Sequence, residues 1–177
     1  DESFADYCSD RAVLRRAVSW PHVVALRRMT KFYALPGLRV GYAVSAQTTI
    51  RRIQRQLPPW SVGTMGQVAA LAALNDEAHA RTSLTFMTQE RERFRRKLAA
   101  LPGCAVMPTY ANYCLVELPR AHPARDITER LRRKGVLIRD CSSVPGANSR
   151  SVRLAVRMRS ENDRLLRELS HLLLLKN

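Results

Sequence analysis

The stretch that decides the fold reads Met29-Thr30-Lys31-Phe32-Tyr33-Ala34-Leu35-Pro36-Gly37-Leu38-Arg39-Val40-Gly41-Tyr42. It places one lysine between two apolar segments, and an arginine follows that lysine eight residues later. The chain has only four lysines, and the rest of its 30 basic residues are arginines; the lysines are Lys31, Lys97, Lys134 and Lys176. Because lysine is so rare here, its presence at position 31 indicates a chemical need for an amine.

The Lys31 amine offers chemistry that a guanidinium cannot. An ε-ammonium loses its proton when its surroundings lower its pKa, and the free amine then condenses with an aldehyde, whereas arginine stays protonated. A single lysine at the end of a strand is far more often a solvated residue than a catalytic one. The hypothesis of a catalytic Lys31 therefore depends on the residues that accompany it.

Composition limits the class of protein. A chain of 177 residues with 46% hydrophobic content can bury a core and forms one domain, or one large and one small piece. Its apolar runs are too short to span a bilayer, and no leader pattern stands at its start, so we expect a cytoplasmic protein. The cysteines show no metal-ligand or redox spacing, which predicts four buried thiols in a reducing compartment and no metal site; they are Cys8, Cys104, Cys114 and Cys141.

The net charge of +15 raises the question of nucleic-acid binding. The arginines are spread along the whole chain, on segments predicted to be solvated helix faces. Aromatic residues make up only 6% of the chain and form no stacking platform beside these arginines. We therefore expect no nucleic-acid partner, and a basic binding module stays the weaker alternative.

Residues 1–75 have the pattern of an α/β segment. Short apolar runs at 23–26 and 40–44 predict buried strands of the parallel-sheet type, separated by the Pro36-Gly37 turn. Helices are predicted at 46–57, where Pro58-Pro59 stops the first, and at 64–74. Residues 1–4 read as the end of a further strand, so we expect the chain to be part of a longer protein.

Residues 76–177 have the pattern of a smaller α+β domain that begins with a long amphipathic helix at 77–101. This helix is predicted to link the two domains. Gly135 after three basic residues predicts a helix C-cap, and Ser160 predicts an N-cap. The remaining elements are predicted strands at 104–107, 112–118, 136–139 and 151–156 and helices at 123–134 and 160–175.

Five residues together supply what a pyridoxal phosphate enzyme needs. The Lys31 amine can hold the cofactor aldehyde and later carry a proton at the reacting carbon. Asp1 can pair with the pyridine nitrogen and keep it protonated. Arg39 and the Thr30 hydroxyl suit the cofactor phosphate, and Arg153 can bind a substrate carboxylate through two hydrogen bonds.

The same residues carry a resemblance to a known family. The segment from Thr30 to Tyr42 resembles the cofactor-lysine signature of fold type I, aspartate aminotransferase-like enzymes, in which Ser/Thr-Lys precedes the phosphate-binding arginine by eight residues. The start, Asp1-Glu2-Ser3-Phe4, resembles the histidinol-phosphate aminotransferase branch. Within that branch, the lysine segment and residues 137–146 are most similar to the threonine-phosphate decarboxylases.

The resemblance implies an α/β fold of the PLP-dependent transferase type, with residues 1–75 from the large cofactor-binding domain and 76–177 as the small domain. It implies a homodimer with pyridoxal 5'-phosphate, in which Arg139 and Arg153 bind a small phosphorylated amino acid. The implied reaction is decarboxylation of O-phospho-L-threonine to 1-aminopropan-2-ol phosphate in cobalamin biosynthesis. An aminotransferase, such as one acting on histidinol phosphate, is the alternative.

Two positions depart from the family pattern. Phe4 replaces a tyrosine that many aminotransferases use to contact the cofactor, and Arg28 replaces a small hydroxyl residue that contacts the phosphate. Arg28 either substitutes for that contact by its charge or points away. The family's glycine-containing phosphate loop and ring-stacking aromatic normally come earlier in the sequence, so we expect these 177 residues alone to bind cofactor poorly.

Overall fold

Two short strands, β1 (Ala25–Arg28) and β2 (Gly41–Val44), form an antiparallel hairpin in the computed structural model, which describes residues 1–174. Ala25 pairs with Val44 and Arg28 with Gly41. The prediction of buried strands of the parallel-sheet type is wrong for this pair: their pairing is antiparallel, and Ala25 is the only fully buried residue of the two strands. Apolar runs carry no information on strand direction. The connecting loop, 29–40, turns straight back, whereas parallel strands need a crossover that passes over the sheet.

Contacts divide the chain into two units, residues 1–84 and 85–177, which we call unit 1 and unit 2. Besides the hairpin and two 3-10 helices at Ala5–Tyr7 and Ser9–Arg11, unit 1 contains three complete α-helices: α1 (Leu14–Ala17), α2 (Gln47–Gln54) and α3 (Thr64–Asn75). The division falls inside the long helix α4 (Glu77–Ala99). The predicted domain boundary after residue 75 stays a prediction.

The first residues of unit 1 do not form the predicted strand end. They make a turn that leads into a 3-10 helix at Ala5–Tyr7. One backbone hydrogen bond, from the Glu2 N–H to the Leu26 carbonyl at 2.8 Å, attaches this segment to β1. A single bond of this kind is too little pairing for a strand, but it fixes where the chain begins relative to the hairpin.

Unit 2 is built on a four-stranded antiparallel sheet in the order β3-β4-β6-β5. Its strands are β3 (Ala105–Val106), β4 (Tyr113–Glu117), β5 (Arg139–Asp140) and β6 (Ser151–Ala155). Helices α5 (Ala124–Arg133) and α6 (Arg159–Leu174) complete the predicted order of elements. Three strands are shorter than predicted, and β5 overlaps the predicted strand at 136–139 only at Arg139. The predicted helix end at 175 lies outside the described residues.

An apolar core holds unit 2 together, because one face of the sheet and one side of each helix contribute buried side chains to it. Helix α4 contributes Phe94 and Leu98, as its apolar spacing predicts. The other members are Cys114, Val116, Leu118, Ala124, Ile127, Leu131, Val152, Leu154, Val156, Leu165, Leu166, Leu169 and Leu172.

The two predicted helix caps have different outcomes. The C-cap residue of α5 is Lys134, and Gly135 directly after it closes the helix end as predicted: its φ is +72°, its N–H donates to the Arg132 carbonyl, and the Val136 N–H donates to the Leu131 carbonyl. Ser160 is wrong as an N-cap, since α6 already begins at Arg159. There the Glu161 carboxylate reaches back and accepts a hydrogen bond from the Met158 N–H at 3.3 Å.

The cysteines are all free, and only two of them are fully buried, namely Cys114 and Cys141. The prediction of four buried thiols is therefore wrong for Cys8 and Cys104, which are half-buried. Burial raises the pKa of the Cys104 and Cys114 thiols to about 11, so both are weak nucleophiles at neutral pH. Among residues 1–174, no helix is long and apolar enough to cross a membrane, and no three metal-ligating side chains cluster.

Candidate active site

The hairpin loop brings Thr30, Lys31 and Arg39 to one end of unit 1. The Met29 N–H donates to the Val40 carbonyl at 3.2 Å, which continues the β1–β2 register by one pair. Thr30 and Arg39 come next on the two sides of the loop, and Lys31 follows Thr30 directly. The eight-residue spacing seen in the sequence thus corresponds to two legs of a single loop.

Glycine at position 41 allows the two legs to meet so closely. A Cβ atom at Gly41 would lie 2.6 Å from the Arg27 carbonyl oxygen, which is part of the backbone and cannot move aside. Any larger residue would therefore push β2 away from β1 at the base of the loop. Gly41 sets the separation of the segments that carry Lys31 and Arg39.

Phe32 anchors the loop beside the lysine. Its ring is buried and makes edge-to-face contacts with Tyr7, Tyr33 and His79, with ring centroids 5.2, 5.0 and 6.1 Å away. The His79 Nε2 atom also lies 3.2 Å from the Phe32 carbonyl oxygen. Lys31 itself is exposed, and its amine has no hydrogen bond or ion pair within residues 1–174. The loop therefore holds the backbone at Lys31 and leaves the amine accessible.

Arg39 has an unusual backbone conformation. Its φ is +52°, a left-handed value that costs free energy for a residue with a side chain. The exposed guanidinium donates one hydrogen bond, from Nη1 to the Pro36 carbonyl at 3.2 Å, within the same loop. Its remaining donors face no acidic group of the described residues, so the Arg39 guanidinium has donors left for an anion.

Asp1 lies at the same end of β1. One oxygen, Oδ1, accepts hydrogen bonds from the N–H and the hydroxyl of Ser3, at 2.9 and 2.5 Å. The other, Oδ2, lies 3.1 Å from the Arg28 guanidinium. Arg28 therefore points towards Asp1, and both side chains stay half-exposed. No contact that the loop shows takes the place of the phosphate contact made by the small hydroxyl residue that Arg28 replaces.

A buried charge cluster behind the hairpin was missed from the sequence. Arg27 on β1 forms ion pairs with the carboxylates of Glu2, at 3.3 Å, and Asp6. Burial raises the pKa of the Asp6 carboxyl, and the Arg27 guanidinium opposes that rise. Its partners lie 25 and 21 residues away in sequence, so no local spacing signals the cluster.

In unit 2, Arg139 and Arg153 face each other directly across β5 and β6. Directly opposed residues share one face of a sheet, and like charges in such a pair repel each other. Both are exposed, and neither forms an ion pair within the described residues. The Arg153 guanidinium lies over the Tyr113 ring, 5.2 Å from its centroid. This face of the sheet is suited to an anion that bridges the two guanidinium groups.

Comparison with known proteins identifies the family of the chain. The aminotransferase class I and II family matches residues 1–169. The chain belongs to this family. Its sequence is 38% identical to the threonine-phosphate decarboxylase of Salmonella typhimurium over 98% of this chain and 48% of that protein. The chain spans about half the length of the curated relatives it matches.

Solved structures of this aminotransferase family have the same fold. The histidinol-phosphate aminotransferase of Clostridium acetobutylicum superimposes with a TM-score of 0.92 at 26% identity, over 97% of this chain and 52% of that chain. The enzyme of the same name from Sinorhizobium meliloti, in complex with pyridoxal 5'-phosphate, gives 0.85 at 27% identity, over 98% and 47%. The predicted fold class is confirmed, and the predicted cofactor is one that this family binds.

The site residues themselves stay predictions. Asp1, Thr30, Lys31 and Arg39 come together around the β1–β2 hairpin of unit 1, whereas Arg139 and Arg153 form a pair in unit 2. The homodimer, the cytoplasmic location and the absence of a nucleic-acid partner also stay predictions. What the structure adds is the Arg27 cluster and the direct pairing of the two arginines.

Proposed function

We propose that this chain forms the C-terminal half of a pyridoxal phosphate enzyme that decarboxylates O-phospho-L-threonine to 1-aminopropan-2-ol phosphate, in cobalamin biosynthesis. The observation that carries the proposal is the cross-strand pair of Arg139 and Arg153, since two unpaired guanidinium groups fit a substrate that bears a carboxylate and a phosphate. The 38% identity to a threonine-phosphate decarboxylase supports it further.

The hairpin residues fit the cofactor by their chemistry. The accessible Lys31 amine would hold the cofactor's aldehyde carbon and, once released, would carry a proton at the substrate's α-carbon. Arg39 and Thr30 would bind the phosphate, because they offer free donors on the two legs of one loop. Asp1 would pair with the pyridine nitrogen and keep it protonated. When bound, the cofactor supplies a conjugated ring that accepts electrons from the α-carbon.

The arginine pair would decide which bond breaks. Only the bond perpendicular to the plane of the conjugated system can release its electrons into that system. Two guanidinium groups on one sheet face would turn the substrate so that its carboxylate takes this position. One guanidinium on the carboxylate and the other on the phosphate would hold the substrate at two points and so fix its rotation, and we therefore propose that decarboxylation needs both Arg139 and Arg153.

Product analysis of the full-length enzyme tests the proposal. With O-phospho-L-threonine we expect carbon dioxide and the amino alcohol phosphate in equal amounts. Lys31→Ala should lower kcat by about 10³-fold or more, in the range for loss of a nucleophile and proton carrier. Lys134→Ala, which removes an exposed lysine paired with Glu168, is the matched control and should leave kcat unchanged.

The aminotransferase alternative predicts a different outcome. It is favoured by the likeness to histidinol-phosphate aminotransferases, one of which superimposes with a TM-score of 0.92. Formation of a keto acid and an aminated cofactor without carbon dioxide, or turnover of histidinol phosphate in place of phosphothreonine, would establish it. A wild-type protein that binds no pyridoxal phosphate would rule out both enzymes.

A further inference from the structure

Arg27 is the charged side chain that connects the start of the chain to the cofactor hairpin. Only 10% of its side chain is exposed, and its two carboxylate partners, Glu2 and Asp6, are 13% and 10% exposed. Guanidinium is suited to such a place because its planar fork serves two acceptors at once. Buried charges of this kind persist in proteins when each one is paired, and removal of one partner leaves the others uncompensated.

Both partners of Arg27 hold the segment that carries Asp1. Glu2 follows Asp1 directly, and its N–H donates to the Leu26 carbonyl on β1 at 2.8 Å. The second carboxylate oxygen of Glu2 accepts a hydrogen bond from the Val13 N–H at 2.6 Å. Asp6 adds a second attachment to Arg27 five residues beyond Asp1. The Arg27 side chain thereby fastens residues 1–13 to β1 from the buried side, while Arg28 binds Asp1 itself in a half-exposed pair.

We infer that Arg27 is a positioning residue that fixes the Asp1 carboxylate relative to the Lys31 amine. The inference rests on the proposed function, in which these two groups bind opposite parts of one cofactor. Arg27 lies four residues before Lys31 on the hairpin and binds the residue next to Asp1. Arg28 binds the Asp1 carboxylate directly, but that pair is half-exposed, whereas Arg27 is buried and binds two carboxylates of the segment that Asp1 begins. Solvent screens the Arg28 pair more strongly, so we assign the larger part of the positioning to Arg27.

The test follows the position of the Asp1 carboxylate through the protonation of the bound cofactor, not through turnover. A carboxylate beside the pyridine nitrogen favours the protonated form of that nitrogen, so displacement of Asp1 lowers the pH at which the nitrogen loses its proton, a midpoint followed by nitrogen NMR of isotope-labelled bound cofactor. In the full-length holoenzyme we expect Arg27→Met to lower this midpoint by about half a unit or more and to weaken cofactor binding about tenfold. Arg27→Lys keeps the charge but not the fork, so a smaller shift in the same direction is expected, and it carries the test if Arg27→Met does not fold.

Arg93→Met is the matched control. Arg93 in unit 2 is also nearly buried, with 14% of its side chain exposed, and also binds two carboxylates, those of Glu90 at 2.6 Å and Asp163 at 2.8 Å. Its loss should lower the melting temperature as the loss of Arg27 does, but leave the midpoint of the pyridine nitrogen where it is in the wild type. This separates a positioning role from a general loss of stability.

Asp1→Asn completes the design. If Arg27 acts through Asp1, then Arg27→Met adds no further shift of the midpoint in the Asp1→Asn background. An equal shift in both backgrounds overturns the inference, and so does a midpoint in Arg27→Met that matches Arg93→Met. A wild-type protein without cofactor absorbance overturns the proposed function instead, and the inference with it.

Discussion

The two units of this chain are each stabilised from within by a different kind of contact. Unit 2 buries fifteen apolar or thiol side chains in one core formed by its sheet and helices. Unit 1 buries five hydrophobic side chains, which are small or scattered, and its Trp60 and Met65 are 96% and 75% exposed. Its firmest long-range contacts are polar, through Arg27 and the Phe32–His79 pair.

This difference bears on the candidate site. The residues proposed to bind cofactor lie in unit 1, where a hairpin loop and a charge cluster set their positions. The residues proposed to bind substrate lie on strands of unit 2, which the core makes rigid. Substitution of a charged residue is therefore expected to displace the proposed site residues most in unit 1. Truncation of a buried apolar side chain is expected to displace them most in unit 2.

Separation of the units tests the contrast with the largest expected effect. A chain of residues 76–177, which keeps α4 whole, should unfold cooperatively in urea with a free energy on the order of 5 kcal/mol, since it contains the complete core. Residues 1–75 alone should show no cooperative transition, because five buried apolar residues cannot offset the loss of chain entropy. Far-UV circular dichroism follows both.

Phe94→Ala within 76–177 is the control that links this transition to the core. Phe94 is fully buried, so its truncation should remove about 3–5 kcal/mol of the free energy of unfolding. A cooperative transition in residues 1–75 would show that polar contacts suffice to fold unit 1, and the contrast would then be wrong.

Sequence patterns predicted unit 2 better than unit 1 for a physical reason. The positions of Phe94 and Leu98 follow helical periodicity, and Gly135 follows the local chemistry of a helix end, so both are visible within a few residues. The direction of β1 relative to β2 is not visible in the nearby sequence, because an apolar run of four residues looks the same in parallel and antiparallel sheets. That direction depends on the path of the loop.

The candidate site shows the same limit. Lys31 and Arg39 are visible because one loop carries both at a fixed spacing. Arg27 is not, because its carboxylate partners lie more than 20 residues earlier and nothing local links them. The left-handed φ of Arg39 is equally invisible, since nothing in its residue type favours it. Contacts distant in sequence thus account for what was missed.

A buried acid in unit 2 provides the next test. Hydrogen bonds from Arg93 lower the pKa of Glu90 below its usual 4.5, against the opposing effect of burial, and the Asn162 amide adds a further bond at 2.8 Å. Glu90→Gln should therefore lower the free energy of unfolding at pH 7 by about 2 kcal/mol, as expected for a buried bond to a charged group.

The sign of its pH dependence follows from the lowered pKa. The stabilisation by Glu90 is complete above about pH 4.5 and is lost as the pH falls through the lower pKa of the folded state. Urea midpoints of wild type and Glu90→Gln should therefore differ fully above pH 4.5 and converge as the pH falls below it. The control is Glu92→Gln on the exposed side of α4, for which solvent screening predicts a small difference at every pH.

The smallest expected effect compares one glycine from each unit. Gly135→Ala puts a Cβ on a residue with φ +72°, where the nearest atom is the flexible end of Arg164 at 3.4 Å. The cost is thus conformational and should be about 1 kcal/mol. Gly37→Ala in the hairpin loop meets no atom within 4 Å and does not have a left-handed φ, so the change should be neutral or slightly stabilising.

Urea midpoints of the two alanine variants, measured in the full-length protein, compare a fixed helix end with an open loop. A loss for Gly135→Ala alone fits a unit 2 whose backbone is determined by packing and a unit 1 whose loop tolerates a new side chain. Equal losses would mean that the loop around Gly37 is as constrained as the end of α5. The hairpin would then be held by more than Phe32 and the Arg27 cluster, and the polar contacts of unit 1 would no longer explain its order.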